Sequence, residues 1–337
     1  MKETNKTKTN RHPKRDVFQE VTDRIMRSLE KGVAPWVKPW SVDDAGIPAS
    51  ATGRTYRGIN KVVLGMVQAE EGYSSNVWFT RRMARAAGGW IGKGQKGTAV
   101  FFFKPVEESG HAGSDEDEES GSQSEPTSFD RSEDDGERRR RWFTRHYFVW
   151  NRDQVENLPK AAKPEAVPRA IHDPESFTHE LADRIVAGSG AEIRYSGTRA
   201  FYSPQEDYIQ IPEHGLFKDP GGFHSTRFHE LTHWTGHPSR LAREYGWHPA
   251  CDEYAKEELV AEMGSAFFCD WCGIQSGLQH PEYIHSWLKV LEQDKSAVVV
   301  AATLAQKAFD LVLERAGIHP GPAPAEPVQE SLVDLVA

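Results

Sequence analysis

Apolar residues recur along the chain in two rhythms. Phe18, Val21, Ile25 and Leu29 stand three and four apart and stop before Gly32, which predicts an amphipathic helix. Val62, Val63, Met66 and Val67 predict a second helix, with Asn60 as its cap and Gly72 at its end. Thr80 is placed to cap a short third helix closed by Gly88 and Gly89. Residues 98–103 and 142–150 have instead the aromatic and β-branched run of strands. Further on, Asp173-Pro174 opens a helix carrying Phe177, Leu181 and Ile185, followed by short strands at 192–195, 199–202 and 208–211. The turn over Ser203–Asp207 makes a hairpin of the last two. A helical pattern starts at Ser225, breaks from Gly236 to Pro249, and resumes from about residue 253 to 268. Two more helices are expected at 281–291 and 295–316, and no internal repeat is visible.

Two stretches interrupt these rhythms. Residues 107–137 hold 13 acids against Arg131 alone, with Phe129 as their single aromatic, and are expected to be disordered. Residues 157–171 are rich in Pro, Ala and Lys and read as a linker. Two α+β domains are therefore expected, at 13–156 (carrying the acidic insertion 107–137) and 172–317, with a flexible tail at 318–337.

Charge sharpens the division. Residues 14–104 carry 15 Lys+Arg and 8 Asp+Glu, a surplus of +7, inside a chain whose net charge is −9. A basic, aromatic first third points to a polyanionic partner that the overall charge conceals. Three cysteines in 337 residues cannot form a disulfide framework. No apolar stretch approaches the ~18–20 residues of a membrane helix, and the first fifteen residues have no apolar core of a secretory signal. A cytoplasmic protein without a membrane partner is expected.

His229-Glu-Leu-Thr-His233 carries the clearest chemistry. On a helix, residues four apart share a face, so two imidazoles can bind one divalent ion while Glu230 reaches a metal-bound water as general base. A catalytic zinc takes a third protein ligand and keeps one position open. Glu257, Glu258 and Glu262 offer carboxylates on the next helix; Glu258 and Glu262 share a face, and Glu257 points about 100° away from them. Glu258 is taken as ligand, in the manner of gluzincin-like enzymes, and Glu262 as a carboxylate that orients a ligand histidine. His237 is a further candidate beside the site and Asp252 a remoter one, while Ser239 stands where a metzincin needs histidine. The strand 208–211 is expected at a sheet edge, open to an added peptide strand. Cys269 and Cys272 read as buried thiols on a core helix.

In the first third, exposed aromatics between cations suit unpaired bases and phosphates. Arg54, Arg57, Trp78, Arg81, Lys93 and Lys96 are the candidate contacts, and Gly92, Gly94 and Gly97 would let backbone amides approach a phosphate.

Taken in order, these motifs resemble the ArdC-type antirestriction proteins of conjugative plasmids and related mobile elements. The likeness rests on residues 53–60 (GRTYRGIN), 78–80 (WFT), 94–97 (GQKG), 147–151 (YFVWN) and Gln154, then 229–236 (HELTHWTG) and 257–262 (EELVAE), and covers about residues 15–317. It implies an N-terminal single-stranded-DNA-binding domain followed by a zincin-like metallopeptidase domain. Carried over by position, it implies His229, His233 and Glu258 around Zn²⁺, with Mn²⁺ or another divalent ion as alternative, and Glu230 as base. The implied role is protection of incoming DNA from host restriction, with a restriction subunit or another DNA-bound protein as peptidase substrate. A non-proteolytic coating protein with a structural metal, and a protease of DNA-bound proteins in repair, are the alternatives.

Overall fold

The computed structural model describes residues 16–36, 47–105, 127–128, 142–158, 176–243, 252–275 and 281–319. Most of the acidic insertion, the linker, the tail, Cys251 and Asp173-Pro174 lie outside these residues; the helix expected from Asp173 begins only at Glu180, where His179 caps it, so Phe177 lies before it rather than on it. Within the insertion, Thr127–Ser128 pairs as a short strand with a neighbour, so the expectation of disorder fails at those two residues.

The N-terminal half begins with helix α1 (Val17–Glu30), capped by Asp16 and ended through Gly32 in the left-handed region. Strands β1 (Ala49–Ser50), β2 (Val77–Phe79), β4 (Thr98–Pro105), β5 (Thr127–Ser128) and β6 (Trp142–Asn151) form one sheet; α2 (Gly58–Glu71) packs on β4. The long hairpin partners β4 and β6 run antiparallel over the whole of β4. Thr80 caps α3 (Arg81–Ala86) through Met83 N–H, as the sequence predicts. A separate two-strand ladder joins β3 (Trp90–Ile91) to β7 (Val155–Glu156).

Helix α2 starts two residues before the expected cap. Asn60 does not cap it: its side chain accepts from Phe101 N–H and donates to Phe101 C=O, both at 2.7 Å, fastening α2 to β4. A side-chain amide mimics a peptide group, and here that use outweighs capping.

The C-terminal half contains α4 (Glu180–Gly188), a three-stranded sheet of β8 (Glu192–Tyr195), β9 (Phe201–Ser203) and β10 (Tyr208–Ile211), and helices α5 (Pro220–Trp234), α6 (Asp252–Cys272), α7 (Pro281–Gln293) and α8 (Ala297–Arg315). The β9–β10 hairpin forms as expected, but β10 is central, parallel to β8 on its other side. The strand 208–211 is therefore no sheet edge, since both its rows of backbone groups are paired.

Helix α5 lies on α6, which lies on α8. Gly264 sets the first of these contacts: a Cβ there would overlap the Thr232 side chain, so only glycine lets the helices come this close. Cys269 and Cys272 are buried thiols on α6, as expected, the latter pushed up by burial.

The halves do not keep separate cores. One apolar cluster runs from Phe18, Ile25 and Val63 through Phe228 and Leu259 to Ala302 and Val312. Across the seam, Trp36 meets Trp287 edge-on at 5.4 Å, Lys61 pairs with Asp270 at 2.5 Å, and Gln306 accepts from Gly58 N–H at 3.0 Å.

Candidate metal centre

Asp219 caps α5 and Pro220 occupies its first turn, so the helix is set for Phe228 and Leu231 to face the core. His229 and His233 then share the face towards α6, both buried. Their Nε2 atoms stand 3.1 Å apart. From α6, Glu258 places Oε2 at 3.4 Å from His229 Nε2 and Oε1 at 3.4 Å from His233 Nε2. One donor atom from each of these three residues lies within 4.8 Å of the others.

These separations fit a metal ion. Ligands at ~2.0–2.1 Å around a tetrahedral ion stand about 3.4 Å from one another. The far ring nitrogens complete the fit: His233 Nδ1 faces Glu257 Oε1 at 3.2 Å and His229 Nδ1 faces Glu262 Oε1 at 3.4 Å. A proton donated outward from each Nδ1 leaves both Nε2 lone pairs directed at one point beside a carboxylate. The donor set suits a divalent cation.

Glu257 is anchored in its turn. Arg243 grips it with Nε to Oε2 at 2.9 Å and Nη2 to Oε1 at 2.6 Å, and also donates to Thr235 Oγ1 and Thr232 C=O, each at 2.7 Å. Gly236 makes room, because a Cβ there would stand 2.9 Å from Arg243 Nη2. The electrostatics follow. Burial works against charge on both imidazoles, yet Glu258 with Glu262 holds His229 well above its ordinary value, and Glu258 with Glu257 raises His233 to about 9. Glu258, likewise buried, is held far below the ordinary carboxylate range by His233 and His229. The cluster's negative charge thus favours a cation at its centre. Behind Glu258, Tyr254 is raised by burial and by the Glu258 charge, with hydrogen bonds to Tyr283 and Glu258.

The structure thus brings together His229, His233, Glu258 and Glu262, with Glu230 buried beside them on α5. Glu257 lies about 100° round α6 from Glu258, as the spacing predicts, and His233 reaches between the two, so they address opposite nitrogens of one ring. Arg243 was not foreseen; it falls beyond the break at Gly236, where no helical spacing relates it to the motif. His237 is not brought to the cluster: the turn after α5 carries it away, and its Nδ1 lies 2.7 Å from Ser239 Oγ.

Two N-terminal candidates are also corrected. Trp78 is fully buried in β2 against Tyr73, so its ring offers no face to a base. Arg57 pairs with Asp310 across the seam between the halves. Arg54, Arg81, Lys93 and Lys96 are exposed. Gly92 spends its N–H on Gln154 C=O at 3.0 Å, so that amide is unavailable to a phosphate.

A helix carrying two histidines, with a carboxylate from the next helix, is the metal site of a zincin-type domain. Two family models match in that order: the N-terminal domain of anti-restriction factor ArdC over residues 15–150, and zincin-like metallopeptidase over residues 180–304. Among solved structures, the metal-free antirestriction ArdC protein from plasmid R388 superposes with a TM-score of 0.69 at 36% identity, covering 91% of this chain and 100% of that one. Its Mn(II)-bound form gives 0.68 at 35% identity, covering 90% and 98%. The chain belongs to the ArdC antirestriction family. It is also 31% identical over 300 residues to the uncharacterized protein y4eC of Sinorhizobium fredii (88% of this chain, 91% of that protein). It is 36% identical to two Escherichia coli proteins named DNA primase TraC, matching about 90% of itself but spanning only 27% and 20% of their lengths. Among the described residues no single helix is long and apolar enough to cross a membrane.

Proposed function

We propose that the chain is a single-stranded-DNA-binding antirestriction protein with a metal-dependent peptidase domain, acting in the cytoplasm to protect incoming mobile-element DNA. The observation that carries the peptidase part is the convergence of His229 Nε2, His233 Nε2 and the Glu258 carboxylate, with Glu257 and Glu262 behind the two rings. His229, His233 and Glu258 hold the ion, Zn²⁺ in the first instance and Mn²⁺ as alternative. When bound, the ion supplies Lewis acidity and lowers the pKa of a water to about 7. Glu230, one residue on from His229, takes the proton from the attacking water and returns it to the leaving amine. Glu257 and Glu262 keep the imidazoles in the tautomer and orientation that face the ion. The substrate is a DNA-bound protein, of which a host restriction subunit is one.

The test is transfer of unmodified plasmid DNA into a restricting host making wild-type protein or the Glu230→Gln variant. Protection by the wild type that is lost in the variant supports proteolysis. Equal protection by both would assign the effect to coating of single strands, and no protection by the wild type would end the antirestriction reading.

A further inference from the structure

From Gly72 to Val106 the chain has six Lys+Arg residues and no acid. The fold gathers most of these cations on one surface. Arg81, Arg82 and Arg85 lie exposed on α3, and Lys93 and Lys96 lie exposed on the turn between β3 and β4. Helix α3 packs on β3, and Arg81 stacks over the Trp150 ring at 4.9 Å from its centroid. Trp150 Nε1 points at Gln95 C=O, 3.4 Å away, so the start of α3 and the turn meet over one indole.

The turn is built to hold its shape. Gln154 Nε2 donates to Gln95 Oε1 and to Lys96 C=O, each at 3.0 Å. Gly97 lies flat on Trp150, where a Cβ would stand 2.8 Å from the ring, and Gly94 takes φ +83°. The lysines therefore project from a backbone whose conformation is already fixed, and binding orders only their side chains.

Beside them stands Trp90, 52% exposed and the most exposed aromatic among the described residues. It sits directly opposite Glu156 in the β3–β7 ladder and donates its indole N–H to Glu156 Oε2 at 2.8 Å. The ring is thus held in place while half its surface faces water. Gly92 accommodates this pair, since a Cβ there would stand 2.9 Å from Glu156 Oε1. Asp153, the other nearby acid, is engaged by Ser74 N–H at 2.5 Å.

We infer that Trp90, Lys93, Lys96 and the exposed arginines of α3 form the nucleic-acid face, on which an unpaired base stacks against Trp90 while its flanking phosphates meet the cations. This rests on the single-strand reading of the proposed function and places it. A ring face is accessible to a base only when that base is unpaired, so the surface favours single strands over duplex.

The test is fluorescence anisotropy of a labelled oligothymidylate, and of a duplex of equal length, titrated with full-length protein between about 50 and 200 mM salt. Trp90→Ala should weaken single-strand binding about 5- to 100-fold, and Trp90→Phe should restore most of it. The double variant Lys93→Ala/Lys96→Ala should lower the slope of log K against log salt by about 1.4. Metal content equal to wild type shows that each variant is folded. A wild type that binds the strand while Trp90→Ala and the double variant bind equally well overturns the face and leaves the single-strand reading standing. A wild type that binds no strand removes both. Duplex bound as tightly as single strand, with Trp90→Ala neutral, would contradict stacking.

Discussion

At the metal centre side chains hold side chains: Arg243, from the segment after α5, fixes Glu257, Glu257 faces His233, and Glu262 faces His229, and all of them are buried. Around Trp90 the reverse obtains, because Gln154 and three glycines fix the backbone while the side chains proposed to bind nucleic acid stand in solvent. A buried centre is sensitive to any lost partner, since each unmatched charge is stranded in low dielectric. An exposed face distributes its binding over several weak, screened contacts. Single substitutions should therefore act steeply in the first region and gradually in the second.

The largest effect is expected at Glu230. Glu230→Gln keeps the shape and removes the base, so peptide turnover should fall by about 10²- to 10⁴-fold with metal content unchanged. Loss of metal in that variant would instead make Glu230 part of the binding site.

Glu257→Gln leaves the Arg243 guanidinium buried opposite a neutral amide. Metal affinity should drop by about 10- to 100-fold, and stability by about 3–5 kcal/mol in a denaturant melt. An unaltered affinity would show that Glu257 serves Arg243 alone.

Gly264→Ala forces α5 from α6 at Thr232. Overpacking of this kind costs about 1–3 kcal/mol. Because it shifts the histidine helix against the glutamate helix, metal affinity should fall as well, although residue 264 touches no ligand. A melt lowered without any change in metal affinity would separate helix packing from the assembly of the centre.

The comparison also explains what was legible in the sequence. His229, His233, Glu258 and Glu262 obey helical spacing, so their shared faces can be read before any fold is known. The part played by Glu257 is not legible, because spacing states which way a residue points along its own helix, and not that His233 crosses the gap to meet it. Arg243 comes back from beyond the break after α5, a tertiary contact without periodicity. In the N-terminal half, composition points to a polyanionic partner, but burial decides which residues could meet one: Trp78 and Trp90 are alike in sequence, and only the sheet shows that the first is core and the second surface. The strand 208–211 has an edge strand's length, yet parallel pairing with β8 makes it central, and such pairing leaves no local signature.

The smallest effect is expected at Arg57. Its pair with Asp310 is partly exposed at the seam, so Arg57→Ala should cost about 0.2–1 kcal/mol and leave oligothymidylate affinity near wild type. A loss as large as that of Trp90→Ala would move the nucleic-acid face towards the seam.

The most direct measurement is metal content by mass spectrometry of protein purified without added metal, wild type beside His233→Ala. The account predicts about one divalent ion per wild-type chain and none in the variant. Metal-free protein in both cases, or equal metal in both, would contradict the centre formed by His229, His233 and Glu258.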